Sequence, residues 1–245
     1  MTKRTPNPAH ALDGGIPSCF HIARRWPAAS DVHCWASISP MLMKVALILV
    51  SASLCISARA QNSFSPRLTQ FLLGHPATSL ALSNVIAQAS LERTVQIYYF
   101  YTNDESAPKA HHHYMGDSST VGIFVRENQP VSDECISILF EVLNSKGEKR
   151  FRELFEKAKS GGIPKNSFVT EMQRQEFEAV KAARNLIRKF DLKQEEIAES
   201  KSYSQFMQAP DGFEGFLVYS RKVSQGGDQK AYEELYDKIR RTPQH

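Results

Sequence analysis

Apolar positions divide the chain after residue 60 into alternating helical and extended stretches. Leu68, Phe71 and Leu72 share one helical face, His75-Pro76 interrupts, and Leu80, Leu82, Val85, Ile86 and Ala89 resume the pattern, so Pro66 to Arg93 reads as helix. Thr94 to Thr102 is dense in β-formers and reads as a buried strand, and Ser119 to Arg126 reads as a second. Asn103 to Ser118, which contains His111-His112-His113, reads as a polar loop. Ser132 is placed to cap a helix running to about Ser145, with Asp133 and Glu134 in its first turn, where the helix dipole favours acids. Glu148 to Lys159 predicts a helix that stops at Gly161-Gly162, and Pro164 opens a long helix over Lys165 to Phe190. Asp191 to Ala209 has a weak helical pattern, and Pro210-Asp211-Gly212 a turn. Phe213 to Val223 reads as a strand broken by Gly226-Gly227, and Asp228 is placed to cap a last amphipathic helix. The expectation is an α+β fold, mainly helical, with a small sheet of about three strands packed against five or six helices.

The segment before residue 61 has a different character. Lys44, the apolar run Val45 to Ile56 and Ala58-Arg59-Ala60 have the order of a signal peptide: a basic start, a short hydrophobic region and a small-residue cleavage site. The run is shorter than the roughly 20 residues that a transmembrane helix needs. Residues 1–40 have no period and read as an extension from an early start codon, or as an organelle presequence. Residues 61–245 are then one exported globular domain, secreted or periplasmic after cleavage near Ala60.

Charge and cysteine content follow that division. The chain has 30 basic and 26 acidic residues, but residues 1–60 hold six of the bases and two of the acids, leaving 24 of each beyond residue 60. A neutral, interleaved surface is not the footprint of a nucleic-acid binder. Of four cysteines, only Cys135 lies beyond the leader, so no internal disulfide staples the domain. On an apolar helix face, Cys135 reads as a small hydrophobe rather than a nucleophile.

Two helices carry the informative residues. In the long helix, Phe168, Met172, Ala179, Ala183, Leu186 and Phe190 form one stripe, and Glu176 falls inside it. A carboxylate there must be paired, hydrogen-bonded, metal-bound or protonated. Glu176 is therefore expected to be buried, facing the sheet or the Ser132–Ser145 helix. That helix is apolar nearly all round, with Asp133, Glu134, Ser137, Glu141 and Asn144 as one polar stripe toward solvent or a cleft.

A strand, a buried helix and a later helix bearing a glutamate resemble the core of the zincin metallopeptidases. Leu139-Phe140-Glu141-Val142-Leu143-Asn144 looks like their L-H-E-x-x-H with both histidines replaced. The resemblance implies Glu141 as the general-base position and Glu176 as the third ligand. Phe140 cannot ligate and Asn144 is a weak neutral donor, so zinc-bound water chemistry is not expected. Metal binding has one other candidate, His111, His112 and His113, with His75 or Asp117 adding a ligand; the plainer reading is an exposed loop. No cofactor is expected otherwise, and no phosphate-binding loop, dinucleotide fingerprint or nucleophile elbow is present. Tyr99 and Tyr101 share one strand face and Tyr98 and Phe100 the other, an arrangement that serves packing or a ligand groove. The expected role is a non-catalytic binding or structural domain whose partner is a protein or envelope component. The alternative is a diverged hydrolase using Glu141 and Glu176.

Overall fold

The computed structural model describes residues 64–104, 108–115, 119–224 and 226–241. The signal-peptide segment and Asp117 lie outside the described residues. The fold is α+β and mainly helical. Three strands, β1 (Thr94–Phe100), β2 (Ala110–Met115) and β3 (Thr120–Arg126), form one sheet in the order β1-β3-β2. β1 runs parallel to β3, with Val95 opposite Val121 and Ile97 opposite Ile123. β2 runs antiparallel to β3, with His112 opposite Ile123 and Tyr114 opposite Val121.

The helices are α1 (Pro66–Gly74), α2 (Pro76–Ser90), α3 (Val131–Ser145), α4 (Glu148–Ser160), α5 (Lys165–Ile187), α6 (Gln194–Glu199), α7 (Lys201–Gln208), α8 (Phe213–Val223) and α9 (Gly227–Arg241). The described residues thus form nine helices rather than five or six. Pro76 lacks the amide hydrogen needed to continue α1, so it begins a second helix. The 191–209 segment also splits in two, where Ser200 ends α6 and caps α7 by accepting from the Tyr203 amide.

Phe213–Val223 is α8, not a strand. Its β-forming residues mask a helical spacing: Phe216 and Ser220 are buried, and Phe213 and Phe216 both pack on Phe177 of α5. Tertiary packing here overrides propensity. α3 starts at Val131 after Pro130, so Ser132 lies inside the helix and does not cap it; its hydroxyl is directed to the Glu196 carbonyl instead. Asp228 likewise lies within α9, where it accepts from the Ser220 hydroxyl. Gly161 ends α4 at φ 79°, a left-handed conformation that favours glycine.

Two apolar clusters hold these elements. The first joins the inner sheet face (Val95, Ile97, Val121, Ile123, Val125) to α1, α2, α3 and the C-terminal half of α5. The second joins Phe151 and Leu154 of α4, Phe168 and Met172 of α5, and Tyr232 of α9. Glu176 lies on α5 between the residues given to the two clusters. Among the described residues, no helix is long and apolar enough to cross a membrane.

Candidate functional site

The polar stripe of α3 is buried rather than turned to solvent: Asp133, Glu134, Ser137, Glu141 and Asn144 are all enclosed by neighbouring elements, and Ser137 and Glu141 line a small cleft, the other of the two expected surroundings. A buried carboxylate needs a donor, and the carboxylates of this stripe find theirs on other elements. Asp133 accepts from the Lys109 ammonium at 2.6 Å, from the Ser202 amide at 2.9 Å and from the Ser200 hydroxyl. Glu134 accepts from Ser65 Oγ at 2.8 Å and from Arg67 at 2.9 Å. The stripe therefore ties α3 to α1, to the start of β2 and to α7.

Glu141 is 2% exposed, and its Oε2 lies 2.7 Å from Nδ1 of His112, which is fully buried. With a carboxylate as acceptor, Nδ1 carries the proton. The ring of His112 stands edge-on to Tyr114 at 5.5 Å. Glu141 also lines a small cleft of about 310 Å³, open mouth included, with Lys109, Ser137, Phe140, Ser202 and Phe206. In that cleft the Lys109 ammonium donates to Ser202 Oγ at 3.0 Å. Burial lowers the pKa of Lys109 while the Asp133 carboxylate opposes that shift.

Glu176 is fully buried, as its place in the apolar stripe predicts, but its hydrogen-bond donor is the Tyr232 hydroxyl of α9. The cleft lined by Glu141 does not include Glu176. The two glutamates that the zincin resemblance pairs are thus served by different elements, one by β2 and one by α9.

The three histidines form part of β2, not a loop. Ala110, His112 and Tyr114 pair with β3 on the inner face, which draws the segment into the sheet. Strand alternation then sends His112 inward and His111 and His113 to the outer face, so the three imidazoles cannot converge on one ion. His111 stacks on Phe124 at 5.0 Å, and burial pushes its pKa down to about 4. His75 is held elsewhere, between the Phe71 carbonyl at 2.8 Å and Glu196 at 2.9 Å. Among the described residues, no group of three or more His, Cys, Asp or Glu side chains is arranged to hold a metal. Cys135 is fully buried, and burial raises its pKa, which disfavours the thiolate.

Residue reading missed Lys109, Ser202 and Tyr232. The signal for His112 was present in the alternation Ala110-x-His112-x-Tyr114. Nothing in the sequence pairs Tyr232 with a residue 56 positions earlier. No protein-family model matches the chain, and no curated protein or solved structure matches it either.

Proposed function

We propose that this chain is an exported, non-catalytic domain that binds a protein or envelope component. The observation that supports it best is the use to which its carboxylates are put. Glu141 holds β2 through His112, Glu176 holds α9 through Tyr232, and Asp133 holds α7 through Ser200 and Ser202. Buried acids spent on joining elements are fixed in place, whereas a hydrolase needs them converging on one substrate. The neutral balance beyond residue 60 supports a partner other than a nucleic acid. Export rests on Lys44, the apolar run Val45 to Ile56 and the Ala58-Arg59-Ala60 site.

One observation favours the second reading, a diverged hydrolase on a zincin-like scaffold: Glu141 lines a cleft and is backed by an imidazole at 2.7 Å. Peptide and ester hydrolysis by the full chain, measured beside Glu141→Gln and Glu176→Gln with elemental analysis of all three, separates the readings. The binding reading expects no turnover that depends on either glutamate, no metal lost in Glu176→Gln, and a lower melting temperature in both variants. Turnover abolished in a folded Glu141→Gln, or near-stoichiometric metal lost in Glu176→Gln, overturns it.

A further inference from the structure

The inner face of β2 meets the polar stripe of α3 at two points. His112 Nδ1 lies 2.7 Å from the Glu141 carboxylate, and the Tyr114 hydroxyl donates to the Ser145 carbonyl at 2.6 Å. Asn144 stands one helical turn after Glu141 and directly before Ser145, so these two ties bracket it. His112 and Tyr114 are neighbours on the strand face, their rings edge to face at 5.5 Å. The Asn144 carboxamide is therefore held at the same seam as the His112 ring. His112 is fully buried and Asn144 is 2% exposed. Among the described residues, Nε2 of His112 and both polar atoms of the Asn144 carboxamide have no hydrogen-bond partner. Such atoms are costly to bury alone, and three at one seam mark a site for a small polar molecule.

We propose that the β2–α3 seam binds an internal water that links His112 Nε2 to the Asn144 carboxamide. The chemistry of the three atoms selects the occupant. With Nδ1 protonated toward Glu141, Nε2 is an acceptor, while Asn144 offers a donor at Nδ2 and an acceptor at Oδ1. Water both donates and accepts, so it serves all three. A cation would leave Nδ2 unserved. An anion would meet acceptors at Nε2 and Oδ1 beside the Glu141 carboxylate. The cleft lined by Glu141 gives the water its way in. The result is a continuous buried network, Glu141–His112–water–Asn144, that fastens the edge strand β2 to α3. It gives Asn144, which no direct side-chain bond accounts for, a reason to be polar. This inference concerns the interior and is independent of the binding reading above.

Nuclear magnetic resonance of the nitrogen-15-labelled full chain tests it directly. The Asn144 side-chain amide protons are expected to show cross-peaks to water, with the sign that a long-lived bound water gives. Long-range nitrogen-15 spectra are expected to show His112 protonated at Nδ1, with Nε2 as a hydrogen-bond acceptor. Water-deuteron relaxation dispersion is expected to count one long-lived water fewer in Asn144→Leu, and that variant is expected to melt at a lower temperature. Wild-type amide protons silent toward water overturn the proposal, whether or not the variant folds. So does a folded Asn144→Leu that keeps every long-lived water, or one that melts higher, as the loss of a dry, unpaired amide would allow. His112 ring signals that shift on treatment with a chelator would put a metal ion at Nε2 and overturn it as well.

Discussion

Glu141 and Glu176 are both carboxylates buried among apolar residues, yet they are housed in different ways. Glu141 faces the sheet, receives an imidazole N–H from β2 and touches a cleft. Glu176 lies between the two apolar clusters, where its donor is a neutral phenol from the last helix. An imidazole can carry a positive charge and so serve as a counter-charge, whereas a phenol offers a carboxylate only a hydrogen bond. The same residue type in similar sequence surroundings therefore holds the molecule together by two kinds of interaction, and the partner sets which one operates.

The sharpest way to break the comparison is to delete the partners. His112→Leu leaves the Glu141 carboxylate buried without its donor, a change expected to destabilise by about 3–5 kcal/mol. Urea unfolding checks it, and a loss below about 1 kcal/mol would mean that the pair contributes little. Tyr232→Phe removes only a hydroxyl from Glu176, so its expected loss is about 1.5–3 kcal/mol, the range for a hydrogen bond to a charged group. Should Tyr232→Phe cost as much as His112→Leu, the distinction between the two carboxylates would collapse.

Acid titration sharpens it further, because each region carries a group with a displaced pKa of opposite consequence. On the sheet side, burial lowers the His111 pKa from 6.5 to about 4. The unfolded chain then binds a proton that the folded chain does not, and stability is lost as pH falls from about 6.5 toward 4. On the helix side, burial raises the Asp228 pKa from 3.8 to about 6, against the opposing hydrogen bonds of Ser224 and Ser220. The folded chain keeps that proton longer, so stability falls as pH rises from about 4 to 6 and returns on acidification. The two slopes oppose one another, each worth on the order of 3 kcal/mol. His111→Gln should make the protein more acid-tolerant, and Asp228→Asn less so, in melting temperatures recorded between pH 4 and 7. The same direction of change in both variants would exclude this assignment.

How much of this was legible in the sequence depends on how local the determinant is. The β1 and β3 strands, the glycine stop at Gly161 and the burial of Glu176 follow from periodicity and turn chemistry within a few residues. β2 was missed because three imidazoles and a flanking lysine look like a polar loop; only pairing with β3 makes Ala110, His112 and Tyr114 an inner face. α8 was read as a strand because Phe213–Val223 is rich in β-formers, while Phe177, thirty-six residues earlier, selects the helical spacing. The glutamates could be recognised as buried, but not their partners, since His112 and Tyr232 reach them only through the tertiary fold. The donors to the α3 stripe were illegible for the same reason: the stripe could be read as facing solvent or a cleft, and only the fold brings Lys109, Arg67 and three serines onto its acids.

Arg67 supplies the smallest test, and it bears on whether every tie of α3 matters equally. Its guanidinium bonds Glu134 at 2.9 Å and the Glu127 carbonyl at 2.8 Å, but its side chain is 51% exposed while that of Glu134 is buried. Water can replace a half-exposed guanidinium, and Ser65 remains as a donor to the same carboxylate at 2.8 Å. Arg67→Ala is therefore expected to cost no more than about 1 kcal/mol, and less in high salt. Glu134→Ala, by contrast, strands the Ser65 hydroxyl that caps α1 and should cost more than the arginine change. Paired urea melts of the two variants decide it: equal losses would mean that the arginine, not the buried acid with its serine, is what fastens α1 to α3.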